Sequence, residues 1–254
     1  MKVVILAGGY GTRLQEETKE IPKPMVTIGP DPILWHLVNN FADQDLTEII
    51  IAGGYKWQII SEYVKSKFVG IKNANITVVN TGLDTCTGGR VKRLEPSLRQ
   101  PIASTSGDLL RYEPFLLTYG DGLADINYNA LLDHHVRMKM LHGSVVTLTA
   151  VNPPSRFGRL RVENGLCSIF TEKGQDPEGW INAGFYIVEP MVLDLIPGDG
   201  CVWEKDILPQ LAMQGRLAAY QHPGEFQMMD TLRDREYLEE VWRGNNPFWR
   251  RWKS

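Results

Sequence analysis

The 254 residues are 43% apolar and 22% charged, which supports a sizeable core and argues against disorder. With 27 lysines and arginines against 30 aspartates and glutamates, the net charge of −3 leaves no basic field to attract nucleic acid or an acidic membrane surface. No apolar run approaches the ~18 residues of a membrane span, and Cys86, Cys167 and Cys201 lie far apart with no CxxC pair, so neither a disulfide framework nor a zinc cage is expected and a cytoplasmic setting is.

Residues 2–7, KVVILA, form a continuous apolar run ended by Gly8 and Gly9 and read as a buried strand. Residues 32–44 follow as a helix, with Leu34, Leu37, Val38 and Phe41 at helical spacing behind Pro32. A strand over 47–54, a helix over 57–68 with Ile59, Ile60, Tyr63 and Val64 on one face, and a strand over 75–80 continue the alternation that marks a parallel sheet with crossover helices. The two prolines and small polar residues of 95–108 read as an exposed, mobile excursion. Residues 114–122 read as a central strand ending in Gly120-Asp121-Gly122. A helix over 127–140 and a strand over 144–151 come next. Between 157 and 188 the rhythm shifts to short strands with turns at 164–165 and 177–179, an antiparallel or mixed addition to the sheet. Helices are expected near 203–214 and 231–243. The fold class is therefore α/β: a Rossmann-like, mixed but mainly parallel sheet flanked by helices, in one domain over 1–254 whose lobes, 1–125 and 126–254, share the sheet.

The most informative stretch, LAGGYGTRL at 6–14, directly follows the first strand. Its glycines let backbone N–H groups wrap an anion, at the strand end where open α/β sheets bind ligands. It is not a P-loop, because Gly11-Thr12-Arg13 stands where Gly-Lys-Ser/Thr is required, and Leu14 replaces the third glycine of a dinucleotide fingerprint. Lys23 sits between Pro22 and Pro24, which restrict the backbone on both sides. Asp121, between two glycines at a strand end, suits either a tight turn or a metal ligand. Asp230, ahead of the last helix, suits either an N-cap or a ligand.

The segment GGYGTRLQEETKEIPKPMV (8–26) resembles the signature of the sugar-1-phosphate nucleotidylyltransferases, and the resemblance extends over essentially the whole chain. The segments 79–94, 117–126, 181–190 and 226–242 point to the cytidylyl branch, hence to CTP and glucose 1-phosphate as substrates and CDP-glucose as product, with a uridylyl- or thymidylyltransferase or a non-catalytic nucleotide-sugar binding protein as rivals. The resemblance implies Mg2+ as cofactor, held by Asp121 and Asp230, and catalysis by Arg13, Lys23 and Asp121. It implies nucleotide contacts from Leu6, Ala7, Gly8, Gly9, Tyr10, Gly11, Thr12, Arg13 and Lys23, and a nucleobase wall of Thr85, Thr87, Gly88, Gly89 and Arg90. Glu172, Lys173, Asn182, Ala183 and Gly184 match sugar-phosphate positions, although Gly174 stands where the family has proline after that lysine. A homo-oligomer is expected. The closing aromatics Trp249 and Trp252 suit either internal packing or a subunit contact.

Overall fold

In the computed structural model, which describes residues 1–68, 71–102, 111–152, 159–163, 166–171 and 179–252, strand β1 (Val3–Ala7) is buried along its whole length. Its side chains alternate: Val3, Ile5 and Ala7 enter one core layer, Val4 and Leu6 the other. Helix α1 (Ile33–Asp43) buries Leu34, Leu37, Val38 and Phe41 against the first layer, as its spacing predicts. Strand β2 (Glu48–Gly53), helix α2 (Trp57–Lys67) and strand β3 (Asn75–Asn80) follow. Helix α2 buries Ile60 fully and lays Ile59, Tyr63 and Val64, partly covered, on the same core.

Helix α3 (Thr87–Arg93) leads to strands β4 (Phe115–Tyr119) and β5 (Gly122–Ala124). Helix α4 (Tyr128–His142) begins at Asn127, whose side chain accepts the N–H groups of Asn129 and Ala130, and ends at the left-handed Gly143. Then come β6 (Val146–Val151), β7 (Arg159–Glu163), β8 (Leu166–Thr171), β9 (Ile181–Val188), α5 (Leu208–Met213), β10 (Leu217–Gln221), β11 (Phe226–Met228) and α6 (Leu232–Arg243).

The main sheet has seven strands in the order β10-β6-β9-β4-β1-β2-β3. All run one way except β9, which is antiparallel to both neighbours, β4 and β6. Strands from both halves of the sequence thus share one sheet. Among the described residues no helix is long and apolar enough to cross a membrane.

Three expectations change. Among the described residues strands β7 and β8 pair with each other and not with the main sheet, and from the 157–188 region only β9 joins it, antiparallel to both neighbours; residues 164–165 and 177–178 lie outside the described residues. The start of 95–108 is packed: Glu95–Leu98 is a helical turn with Leu98 buried, and Arg99 donates to Asp194 and to the Pro190 carbonyl at 2.8 and 2.9 Å. Residues 103–108 lie outside the described residues. The helix expected over 203–214 begins as a π-helical turn, Trp203–Ile207, before α5.

The terminal aromatics pack against the fold. Trp249 is fully buried and donates to His36, and the partly buried Trp252 meets Trp35 edge to face at 5.6 Å, so both pack on the chain's own α1.

Candidate active site

Chain order reverses at β1, with β2 on one side and β4 on the other, both parallel to it. The registers Ala7↔Gly53 and Leu6↔Tyr119 bring three carboxyl ends level. The loops beyond them open onto a cleft of about 500 Å³, at the switch point where such sheets bind ligands.

The glycine loop is shaped by close contacts. The Gly8 carbonyl accepts the Tyr55 N–H at 3.1 Å and Arg90 Nη2 at 3.0 Å, and a β-carbon on Gly8 would lie 2.2 Å from the Arg90 Cζ. Gly11 is left-handed (φ +66°), with Thr18 and Lys23 too close for a side chain there. A β-carbon on Gly9 would meet nothing within 4 Å.

Lys23 enters the cleft from a 3-10 turn that Pro22 opens in extended geometry. Its Nζ donates to Asp121 Oδ2 at 2.7 Å and to Asp230 Oδ1 at 2.6 Å. Arg13, largely exposed, donates from Nη1 to Asp230 Oδ2 at 2.8 Å. Burial alone would push the Lys23 ammonium down, but Asp121 and Asp230 more than offset this and hold it above the ordinary lysine value. Burial would likewise raise the Asp230 carboxyl, and Lys23 with Arg13 holds it below the usual range instead.

A short ribbon unites the two aspartates. Strands β5 and β11 pair with Gly122 opposite Met228, and Met229 N–H donates to the Asp121 carbonyl at 2.9 Å. The cap of α6 is Thr231, in a capping box with Asp234, so the Asp230 carboxylate is not spent on the helix end and faces the cleft. Asp121 Oδ1 is buried without a hydrogen-bond partner. Two carboxylates converging on one point, with one oxygen unclaimed, fit Mg2+, which takes one or two carboxylates and completes its shell with phosphate oxygens and water. Among the described residues no larger cluster of metal-ligating side chains exists.

Leu6, Ala7, Gly8, Gly9, Gly11, Thr12, Arg13, Lys23, Thr85, Thr87, Arg90, Asp121 and Asp230 all line the cleft. Tyr10 does not; it tilts against Tyr55 at 5.3 Å between ring centroids. Gly88 and Gly89 lie against the backbone of Cys201 and Asp199, where their missing side chains permit close approach. Arg90 makes five hydrogen bonds, to the Gly8, Gly53, Gly82 and Leu83 carbonyls and the Thr81 hydroxyl; burial pushes its guanidinium down. Asn182 lies on β9 and reaches the cleft through Tyr186 and Tyr119, Ala183 is buried, and Gly184 lies under the Tyr119 ring. Glu172 and Lys173 lie outside the described residues.

Sequence reasoning missed Pro24, Cys86, Tyr119, Gly120 and Val202 as lining residues. Tyr119 and Gly120 adjoin Asp121 at a strand end and could have been found from that position. Val202 had no signal.

A glycine cradle at a switch point, with a lysine gripped between two aspartates beside it, defines an α/β protein that handles phosphorylated nucleotides. The family model described as nucleotidyl transferase matches residues 2–243, and the chain belongs to that family. It is 41% identical over 272 residues to a glucose-1-phosphate cytidylyltransferase of Salmonella typhi, with both chains fully covered. It is 35% identical to a probable glucose-1-phosphate cytidylyltransferase of Bacillus subtilis (strain 168), over 99% of this chain and all of the relative. Among solved structures, HddC from Yersinia pseudotuberculosis complexed with GMP-PN aligns with a TM-score of 0.71 at 26% identity, covering 95% of this chain and 99% of that one.

Proposed function

We propose that the protein transfers the cytidylyl group of CTP to the phosphate of α-D-glucose 1-phosphate, releasing CDP-glucose and pyrophosphate. The carrying observation is Lys23, gripped by Asp121 and Asp230 at the edge of the glycine cradle. The full-length likeness to the Salmonella and Bacillus proteins supports the choice of base and sugar.

A phosphate oxygen of the sugar phosphate attacks the α-phosphorus; the bond from that phosphorus to the β-bridging oxygen breaks, and its electron pair leaves with pyrophosphate. No proton has to be removed, because a phosphate monoester with a second pKa near ~6 is largely dianionic at neutral pH. The obstacle is two anions meeting, so the protein's task is charge cancellation and alignment. The N–H groups of Gly8, Gly9 and Gly11 wrap the triphosphate. Arg13, exposed at the cleft mouth, covers the β- and γ-phosphates and steadies the leaving group. Lys23 meets the α-phosphate. Arg90, whose partners are carbonyls and a hydroxyl, keeps the cleft floor positive without entering the chemistry. When bound between Asp121 and Asp230, Mg2+ supplies positive charge to the phosphate oxygens at the reacting centre. Asn182, Ala183 and Gly184, with Glu172 and Lys173, are assigned to the sugar phosphate.

Pyrophosphate release from CTP, UTP, dTTP, GTP and ATP with glucose 1-phosphate tests this reading. CTP is expected to be preferred. Preference for UTP or dTTP would overturn the choice of base, and release from none would overturn catalysis.

A further inference from the structure

The two carboxylates that suit a divalent metal are also the ones that the protein's own cations hold. Lys23 Nζ donates to Asp121 Oδ2 at 2.7 Å and to Asp230 Oδ1 at 2.6 Å, and Arg13 Nη1 donates to Asp230 Oδ2 at 2.8 Å. Both oxygens of Asp230 therefore carry a cation. Asp121 keeps one oxygen, the buried Oδ1, without a hydrogen-bond partner.

Charge decides what can join this cluster. Among the described residues that line the cleft, Arg13, Lys23 and Arg90 stand against Asp121 and Asp230, so the wall carries one net positive charge. The hydrogen bonds of Arg90 go to carbonyls and a hydroxyl, which leave its charge in place. A divalent ion between the aspartates would meet the Lys23 ammonium with no surplus negative charge to offset the repulsion. The side chains of Lys23 and Asp121 are only 11% and 18% exposed, so water screens that repulsion weakly. A nucleoside triphosphate reverses the balance, because it brings several negative charges of its own.

The glycine loop lies where such an exchange needs it. Pro22 and Pro24 restrict the backbone around Lys23, while its four-carbon stem keeps its own rotations. That stem starts against the loop: a β-carbon on Gly11 would lie 3.2 Å from the Lys23 Cβ. Rotation about the stem carries the ammonium from the aspartates toward a phosphate in the loop while the backbone stays in place.

We propose that Lys23 and Arg13 are exchangeable counterions, which compete with the divalent metal for Asp121 and Asp230 and release these carboxylates when the triphosphate draws both cations away. The metal is admitted with the nucleotide and resisted without it. The hand-over rests on the nucleotide reading above, whereas the competition is a property of the four side chains.

Mn2+ serves as the probe, counted by the electron paramagnetic resonance signal of the free ion. Without nucleotide, Lys23→Met, which keeps the stem and loses the charge, is expected to bind Mn2+ at least about tenfold more tightly than wild type. One neighbouring charge changes a carboxylate's affinity for a proton by about tenfold to a thousandfold, so tenfold is a floor for a divalent ion. Adding Asp230→Asn should abolish the gain. The same Lys23→Met protein should bind CTP more weakly in calorimetry without sugar phosphate, so the two affinities move in opposite directions; a lysine that only supported the fold would weaken both. Mn2+ bound no more tightly by Lys23→Met, or a gain that survives Asp230→Asn, would overturn the competition. CTP bound by Lys23→Met as tightly as by wild type would overturn the hand-over. Should Lys23→Met not fold, Arg13→Gln alters an exposed side chain and should tighten Mn2+ by about two- to fivefold, as an exposed charge pair allows; an unchanged affinity overturns the proposal. CTP binding to wild type is the control for the substrate reading. Its absence would overturn that reading, and the Mn2+ affinities of the variants would still decide the competition.

Discussion

Two neighbouring glycines separate folding from ligand binding within a single loop. Gly8 needs its missing side chain because the Arg90 guanidinium fills that space at 2.2 Å from where a β-carbon would stand, while Gly9 faces open space. Gly8→Ala should therefore destabilise the fold by about 1–3 kcal/mol through overpacking, visible in thermal unfolding. Gly9→Ala should unfold like wild type, within about 0.5 kcal/mol, yet bind CTP more weakly, since its new methyl occupies space the triphosphate needs. Equal melting losses in both variants would contradict this division. Lys23 sits at the same scale. Lys23→Ala removes the ammonium that two carboxylates share, and turnover should fall by at least about a hundredfold. The stability loss should stay near about 1–2 kcal/mol, because the cleft admits water that screens the remaining aspartates. Single-turnover rates beside melting curves show which loss dominates; an unchanged rate would remove Lys23 from the mechanism.

At the scale of elements, Asp230 depends on how α6 begins. Asp234 Oδ2 accepts from the N–H of Asp230 at 3.2 Å and of Thr231 at 2.9 Å, and the Thr231 hydroxyl both donates to that carboxylate and accepts the Asp234 N–H. Thr231→Ala should cost about 1 kcal/mol, as loss of a cap does, and should raise the divalent-metal concentration needed for half-maximal rate because the Asp230 carboxylate loses its anchored backbone. Thr231→Ser keeps the hydroxyl and should restore both quantities; failure to restore the metal requirement would detach the cap from the site. The same junction shows what the sequence could reveal. Buried strands and amphipathic helices announce themselves by period, so β1, β2, β3, α1, α2 and α4 could be read from residue spacing alone. The glycine loop and Lys23 were legible because glycine and proline restrict the backbone locally. The three-residue ribbon of β5 and β11, which unites Asp121 with Asp230, is too short to show a period, and it pairs segments far apart in the chain.

Across the whole molecule, the C-terminal segment closes over α1 through one neutral histidine. His36, wholly buried, places Nε2 at 2.9 Å from the Ile28 carbonyl, which can only accept, so Nε2 carries the proton. Its Nδ1 lies 3.4 Å from the Trp249 indole nitrogen, which can only donate, so Nδ1 must be bare. A second proton would face that N–H inside the core. Burial holds the His36 pKa below its ordinary value near 6.5, against weaker upward pulls from the Ile28 carbonyl, Asp31 and Glu239. Above pH ~7 the ring is neutral both folded and unfolded, and it adds no pH dependence. As pH drops below ~6.5 the unfolded chain takes up a proton that the folded chain refuses, so stability must fall, by at most about 1.4 kcal/mol per pH unit for one proton, until the lower folded pKa is passed. His134, pushed down by burial and by Arg137, adds to the same slope. Denaturant unfolding between pH 8 and 5 should show this decline, and His36→Gln, which still donates to Ile28 without titrating, should make it shallower. A flat profile in wild type, or a slope that His36→Gln does not reduce, would mean that His36 is not held neutral under the terminal tryptophans.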